Sequence, residues 1–326
     1  MVDEVVAGST VVEGRGIERK GSMGNTPLAW AAESGHEEVV RELLGRGEID
    51  PDKLGEDGQT PLCLAAGNGH EGVVKILLGR DDVDPNMPDV VGRTPLSQAA
   101  YNGHEGVVKL LLEWDGVNPD IPGEFDQTPL MGAACSGHEG IVKMLLGRDD
   151  VNPGKLDEFD QTPLLLAASY GHEGVVKMLL AQDDVNPDKS CDSGETPLFE
   201  AARNGHEGIV KMLLGRDDVN PDKSNGYGRT PLWLAADFGH EGIVKILLEQ
   251  DDVNPDKPDR DGPTPLFQAA CYGYEGIVKI LLRRDEVNPD KPDSRGRAPL
   301  WCAAENGHAG VVALLQRPTS ASHHAA

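Results

Sequence analysis

A chain of 326 residues with 55 acidic against 30 basic side chains, a formal charge of −25, offers no basic patch for phosphate, which argues against nucleic acid and anionic membrane as partners. Aromatics make up only 4% of it, too few for the core of one large globule, and no stretch reaches the roughly 20 apolar residues of a membrane span. Five cysteines (Cys63, Cys135, Cys191, Cys271, Cys302), odd in number and without C-x-x-C spacing, read as free thiols in a reducing compartment.

Residues 1–22 contain short apolar pairs, Val5-Val6 and Val11-Val12, broken by glycine and charge, and match nothing that follows. They have no basic start or long apolar run, so they do not read as a signal peptide. From residue 23 the chain becomes periodic. A Thr-Pro step stands at Thr26, Thr60, Thr94, Thr128, Thr162, Thr196, Thr230 and Thr264, and returns as Ala298-Pro299, always 34 residues apart. The unit is clearest in Gly228–Leu248. Thr230 suits an N-cap, and Pro231 suits the first helical position, where its missing N–H costs nothing. Leu232, Ala235 and Ala236 share one face of a short helix, which Gly239 ends in the left-handed conformation. A second helix follows, its Ile243, Val244, Leu247 and Leu248 forming i, i+4 apolar pairs. Such a helix–turn–helix of about 20 residues buries its apolar face only against copies of itself.

Glycine (40) and proline (23) are therefore repeat punctuation, not a sign of disorder. The first copy carries exposed-type Glu38 and Glu42, as an N-terminal cap should. The ninth replaces a core leucine with Gln316, and Pro318 then blocks helix continuation. Nine repeats are expected over residues 23–317, with a loose tail at 318–326.

The motif G-x-T-P-L-x-x-A-A-x-x-G-H…V-V-K-x-L-L…D-V-N resembles the ankyrin repeat, over about nine-tenths of the chain, and is similar to ankyrin arrays of filamentous fungi. The resemblance implies an all-α solenoid with projecting hairpin loops and a non-catalytic role in binding proteins. It also implies a soluble monomer of the cytoplasm, with the nucleus open, and no cofactor. Two departures stand out. The chain lacks the glycine-alanine pair before the hairpin, lengthening the segment around P-D-K-P-D. It also lacks the histidine after T-P-L, so the inter-repeat bonding that this histidine supplies in the family is expected to give way to apolar packing.

No catalytic constellation is apparent. Eight of ten histidines occupy one Gly-His junction (His36, His70, His104, His138, His172, His206, His240, His308), and a position repeated eight times reads as structural. His323 and His324 lie in the tail. No H-E-x-x-H or phosphate-loop motif occurs. Asp184, Asn186, Asp188, Asp192 and Glu195 have calcium-loop spacing, but Lys189 stands where the turn needs glycine, so no metal is expected.

Variation among the copies is more telling. It concentrates in the two residues after T-P-L and the two after Ala-Ala. Those columns hold Trp30, Tyr101, Tyr170, Phe199, Trp233, Phe238, Phe267, Tyr272 and Trp301, or nine of 14 aromatics. Phe125, Phe159 and Tyr227 fall at hairpin tips. In the resembled family the pair after Ala-Ala lies on the concave helical face, and the residue directly after T-P-L often packs between repeats. The resemblance thus implies a protein-binding surface made of these twelve aromatics with Arg203 and Asp237, centred between residues 199 and 301. A passive structural spacer, with nothing bound in the groove, is the alternative.

Overall fold

The computed structural model describes residues 25–55 and 58–316; the N-terminal extension and the C-terminal tail, with Pro318, His323 and His324, lie outside them. Among the described residues there are 18 α-helices and no strand. The nine first helices are α1 (Pro27–Glu33), α3 (Pro61–Gly67), α5 (Pro95–Asn102), α7 (Pro129–Ser136), α9 (Pro163–Tyr170), α11 (Pro197–Asn204), α13 (Pro231–Asp237), α15 (Pro265–Cys271) and α17 (Pro299–Glu305). The second helices are α2 (Glu37–Gly45), α4 (Glu71–Leu78), α6 (Glu105–Leu112), α8 (Glu139–Leu146), α10 (Glu173–Leu180), α12 (Glu207–Leu214), α14 (Glu241–Leu247), α16 (Glu275–Leu281) and α18 (Ala309–Leu315).

Each first helix begins for the same local reason. The threonine before proline is extended, and its Oγ1 accepts the N–H three residues on, from Ala29 N to Thr26 at 3.1 Å through Phe267 N to Thr264 at 3.2 Å. All eight threonines do this. Ala298 has no side chain for the bond, and α17 starts uncapped. Glycine ends the first helix at positive φ, for instance Gly103 at 83° and Gly205 at 84°.

The chain divides into two compact units, residues 1–167 with 177–185, and 168–176 with 186–326. In the first, α1, α3, α5 and α7 pack in sequence order, each also against its own second helix. In the second, α11, α13, α15 and α17 do the same. The core is small and aliphatic, as in a solenoid. Ala65, Ala66, Val73, Val74 and Leu77 are wholly buried in one repeat, and Ala235, Ala236, Ile243, Val244 and Leu247 in another. Glu38 and Glu42 on α2 face solvent.

The loops between the repeats are built from successive turns. Asparagine of the V-N-P-D step folds its side chain back onto the backbone two residues on, as Asn118 does to Asp120 N at 3.0 Å. The tip then closes through two backbone bonds, for example Asp89 N to Arg93 O and Gly92 N to Asp89 O, both at 2.9 Å. Neighbouring tips join by single bonds, Glu158 N to Phe125 O at 3.0 Å and Arg260 N to Tyr227 O at 2.9 Å.

Two side-chain hooks bind successive repeats. The junction histidine donates from Nε2 to a carbonyl of the preceding repeat: His70 to Glu33 O at 2.8 Å, His104 to Gly67 O at 2.9 Å, His240 to Arg203 O at 2.9 Å and His308 to Cys271 O at 2.9 Å. A carbonyl only accepts, so these rings carry their proton on Nε2. Packing therefore does not take over wholly from the histidine absent after T-P-L. A histidine at the Gly-His junction bonds between repeats instead. The second hook is the loop lysine, whose Nζ meets both the carbonyl and the carboxylate of the preceding aspartate: Lys155 on Asp120 (2.7 and 2.9 Å), Lys223 on Asp188 (2.6 and 3.0 Å), Lys257 on Asp222 (2.7 and 2.9 Å) and Lys291 on Asp256 (2.7 and 3.0 Å).

The five cysteines are not all free. Cys271 and Cys302 form a disulfide between α15 and α17, while Cys63, Cys135 and Cys191 are thiols. The expectation failed because it rested on cysteine number and spacing in sequence. Residues 271 and 302 belong to different columns, which helix packing brings to a Cα–Cα distance of 5.0 Å.

Candidate interaction surface

The first-helix columns sort the aromatics by which neighbour covers them. The residue directly after T-P-L points into the next repeat, so Phe199, Trp233 and Phe267 are only 2%, 1% and 3% exposed. Trp233 Nε1 donates to Pro263 O of the following tip at 3.0 Å. These three are buried in the core of their unit, in the position expected to pack between repeats. Trp301 holds the same position but stands exposed, because no later repeat covers it among the described residues.

In the second unit, the residues after Ala-Ala behave otherwise. Tyr170, Phe238 and Tyr272 share one column and are exposed by 60%, 48% and 55%. Phe238 stacks on His240 and Tyr272 on Tyr274, with ring centroids 6.4 and 6.0 Å apart, so both aromatics are held against the helix turn. Arg203 reaches Glu200 at 3.5 Å, and the carboxylate of buried Glu200 also accepts from Ser169 Oγ at 3.1 Å. Exposed Tyr227 lies at a tip, 5.7 Å from the guanidinium of Arg229. That guanidinium also lies 4.4 Å from the Trp233 ring and pairs with Asp259 at 3.5 Å. Burial raises the Asp237 carboxyl above its ordinary value; Arg229 opposes the shift and Asp259 adds to it. Burial likewise raises Asp259, with the Asp261 N–H and Arg229 acting against it.

In the first unit Trp30, Tyr101, Phe125 and Phe159 are exposed. Tyr101 and Phe125 border a recess of about 400 Å³, whose wall includes Gln98, Asn102 and Gly132. A Cβ on Gly132 would come 3.4 Å from the Tyr101 Cβ, so the backbone of α7 lies against that ring's base. Phe125 and Asp126 lie at positive φ (56° and 59°), a conformation costing a bulky residue about 1–2 kcal/mol. Sequence reasoning passed over three apolar side chains that are also exposed, Val90 and Val91 at a tip and Trp114 after α6. The signal for Val90 and Val91 was available, since they align with the tip residues Glu124 and Phe125.

Several of the acidic side chains are paired locally. In the R-D-D segments Arg80, Arg148 and Arg216 each clamp the aspartate two residues on, and this hydrogen bonding lowers the carboxyls of Asp82, Asp150 and Asp218. In the loop spaced like a calcium site, Asp188 is engaged by Lys223, and Glu195 accepts from Ser193 Oγ at 2.9 Å. Among the described residues no cluster of three metal-ligating side chains occurs, and no helix is long and apolar enough to cross a membrane.

The family model for ankyrin repeats (3 copies) matches the chain in overlapping segments, residues 10–89, 40–123, 81–155, 130–224, 184–259, 217–293 and 252–324. No curated protein matches it. With the Thr-Pro caps, the paired helices and these matches in agreement, the chain belongs to the ankyrin repeat family.

Proposed function

We propose that the protein is a non-catalytic recognition scaffold that holds a protein partner on the exposed ends of its first helices and on its hairpin tips. Ankyrin repeats are in general protein–protein interaction modules. The observation that carries the reading is the split between columns. Where one repeat covers the next, aromatics are buried. At Tyr170, Phe238 and Tyr272 the chain presents large aromatics about half or more exposed to solvent. Aromatics on a rigid scaffold are the usual anchors of an interface, and a spacer has no use for them.

Phe238→Ala/Tyr272→Ala tests the reading. Each truncation should weaken a captured partner by about 2 kcal/mol or more. Because both side chains are already exposed, melting should change little, by about 0.5 kcal/mol in stability. Loss of melting temperature with unchanged capture would make the pair structural and favour the spacer.

A further inference from the structure

The tips before Thr128 and Thr162 repeat one sequence, Glu124-Phe125-Asp126-Gln127 and Glu158-Phe159-Asp160-Gln161. Their phenyl rings stand in solvent with centroids 6.1 Å apart. Neither four-residue stretch contains a cation, and all four acidic side chains are at least partly exposed.

Beneath the second tip lies a buried carboxylate that differs from those at the same position of other tips. Asp157 is 4% exposed, and its Oδ1 accepts the backbone N–H of Phe159 and Gln161 at 3.0 and 2.8 Å. Its Oδ2 is buried and has no hydrogen-bond partner in the protein. Equivalent repeats show what this atom ordinarily meets. Asp89 Oδ2 accepts from Arg93 Nε at 2.9 Å, and Asp293 Oδ2 from Arg297 Nε at 2.8 Å. The arginine stands four residues after the aspartate each time. At that position after Asp157 the chain has neutral Gln161, and the buried Oδ2 is left without the donor its counterparts have.

Another repeat shows how this scaffold seats a guanidinium beside a tip aromatic. Arg229 lies near the rings of Tyr227 and Trp233 and pairs with Asp259. Phe125 and Phe159 occupy the position of Tyr227 in their own tips.

We propose that the tips at 123–127 and 157–161 bind an arginine side chain of a partner protein. Its guanidinium would lie against the Phe125–Phe159 pair and meet Asp157, supplying from outside what Arg93 and Arg297 supply from within. The inference rests on the recognition reading and names the chemistry of one contact. At the rim of the recess, whose wall is otherwise polar (Ser97, Gln98, Asn102, Gln127), the rings of Tyr101 and Phe125 would receive an apolar side chain of the same segment. Adjacent repeats are about 10 Å apart and an extended peptide rises about 3.3 Å per residue, so the two anchors are about three residues apart.

The test uses the full chain and fluorescein-labelled synthetic peptides with Leu-Ser-Gly-Arg or Arg-Ser-Gly-Leu cores, read by anisotropy. Twins replace arginine with citrulline, which keeps the shape without the charge. The arginine peptide of one orientation should bind about tenfold or more tighter than its citrulline twin. Asp157→Asn should remove that advantage without unfolding the tip, because Asn225 already builds the same turn, accepting from Tyr227 N and Arg229 N at 2.9 and 3.1 Å. Gln161→Arg should also abolish it, by filling the site as Arg93 does, with melting unchanged or raised. Equal binding of arginine and citrulline peptides, or parental binding by either variant, overturns the proposal. If Phe125→Ala/Phe159→Ala loses binding while Asp157→Asn does not, recognition by the tips stands and the guanidinium contact fails. Self-association of the chain that Gln161→Arg abolishes would give the tips to a second copy and overturn it as well. Absence of binding by every peptide overturns the proposal and leaves the Phe238/Tyr272 surface to its own test.

Discussion

The Gly-His junction is the most economical place to test how repeats are joined. Gly205 ends α11 at φ 84° and ψ 19°, a left-handed conformation that costs alanine about 1–2 kcal/mol. A Cβ on Gly205 would lie 2.8 Å from Cε1 of His240, closer than real contacts allow. The ring must move, and its 2.9 Å bond to Arg203 O goes with it, at a further cost of about 1 kcal/mol. Gly205→Ala should therefore destabilise by about 2–3 kcal/mol, and His240→Ala by about 1 kcal/mol. In the double variant no ring is left to displace, so the sum should fall short of additivity by about 1 kcal/mol. Urea unfolding followed by tryptophan fluorescence suits this cycle, because buried Trp233 is in the repeat of His240 while Trp30, Trp114 and Trp301 are exposed. Strict additivity would refute the reasoning, since it would mean the glycine makes room for nothing.

Other outcomes follow from the same structure. Leu145, wholly buried on α8, should cost about 2–5 kcal/mol as alanine in urea unfolding. Asp237 has a carboxyl raised by burial, so its contribution to stability is full below the ordinary value of 3.8 and is lost as pH rises through the raised folded value. Asp237→Asn should accordingly raise the melting temperature at neutral pH and lose that advantage in acid. Burial pushes the Cys63 thiol up to about 11, so iodoacetamide at mildly alkaline pH should spare it in the folded protein and modify it in urea. Reducing the Cys271–Cys302 bond should raise hydrogen exchange in α17 and α18 first, since the bond closes a loop of sequence separation 31, a constraint of up to about 3–4 kcal/mol.

The helices could be read from the chain because their causes are local. A threonine cap, a proline at the first position and a glycine exit need no knowledge of the neighbours, and the structure has each where the motif placed it. The assignments that failed depended on the next repeat. Nothing inside Thr-Pro-Leu-Trp tells whether Trp233 faces solvent or the Pro263 carbonyl. The Cys271–Cys302 bond joins unlike columns, which periodicity never aligns. Asp157 looked like any other acidic residue until its sisters Asp89 and Asp293 were seen with their arginines.

The two hooks between repeats share a direction. Histidine and lysine are always carried by the later repeat, and the carbonyl or carboxylate that receives them always belongs to the earlier one. A chain leaving the ribosome presents its earlier repeats first. Each receptor is then already in place when its donor emerges, and a newly made repeat can dock backwards without waiting for sequence still to be translated. These two hooks thus favour docking in the order of synthesis, whereas Arg229 and Trp233 Nε1 wait for Asp259 and the Pro263 carbonyl of the repeat that follows.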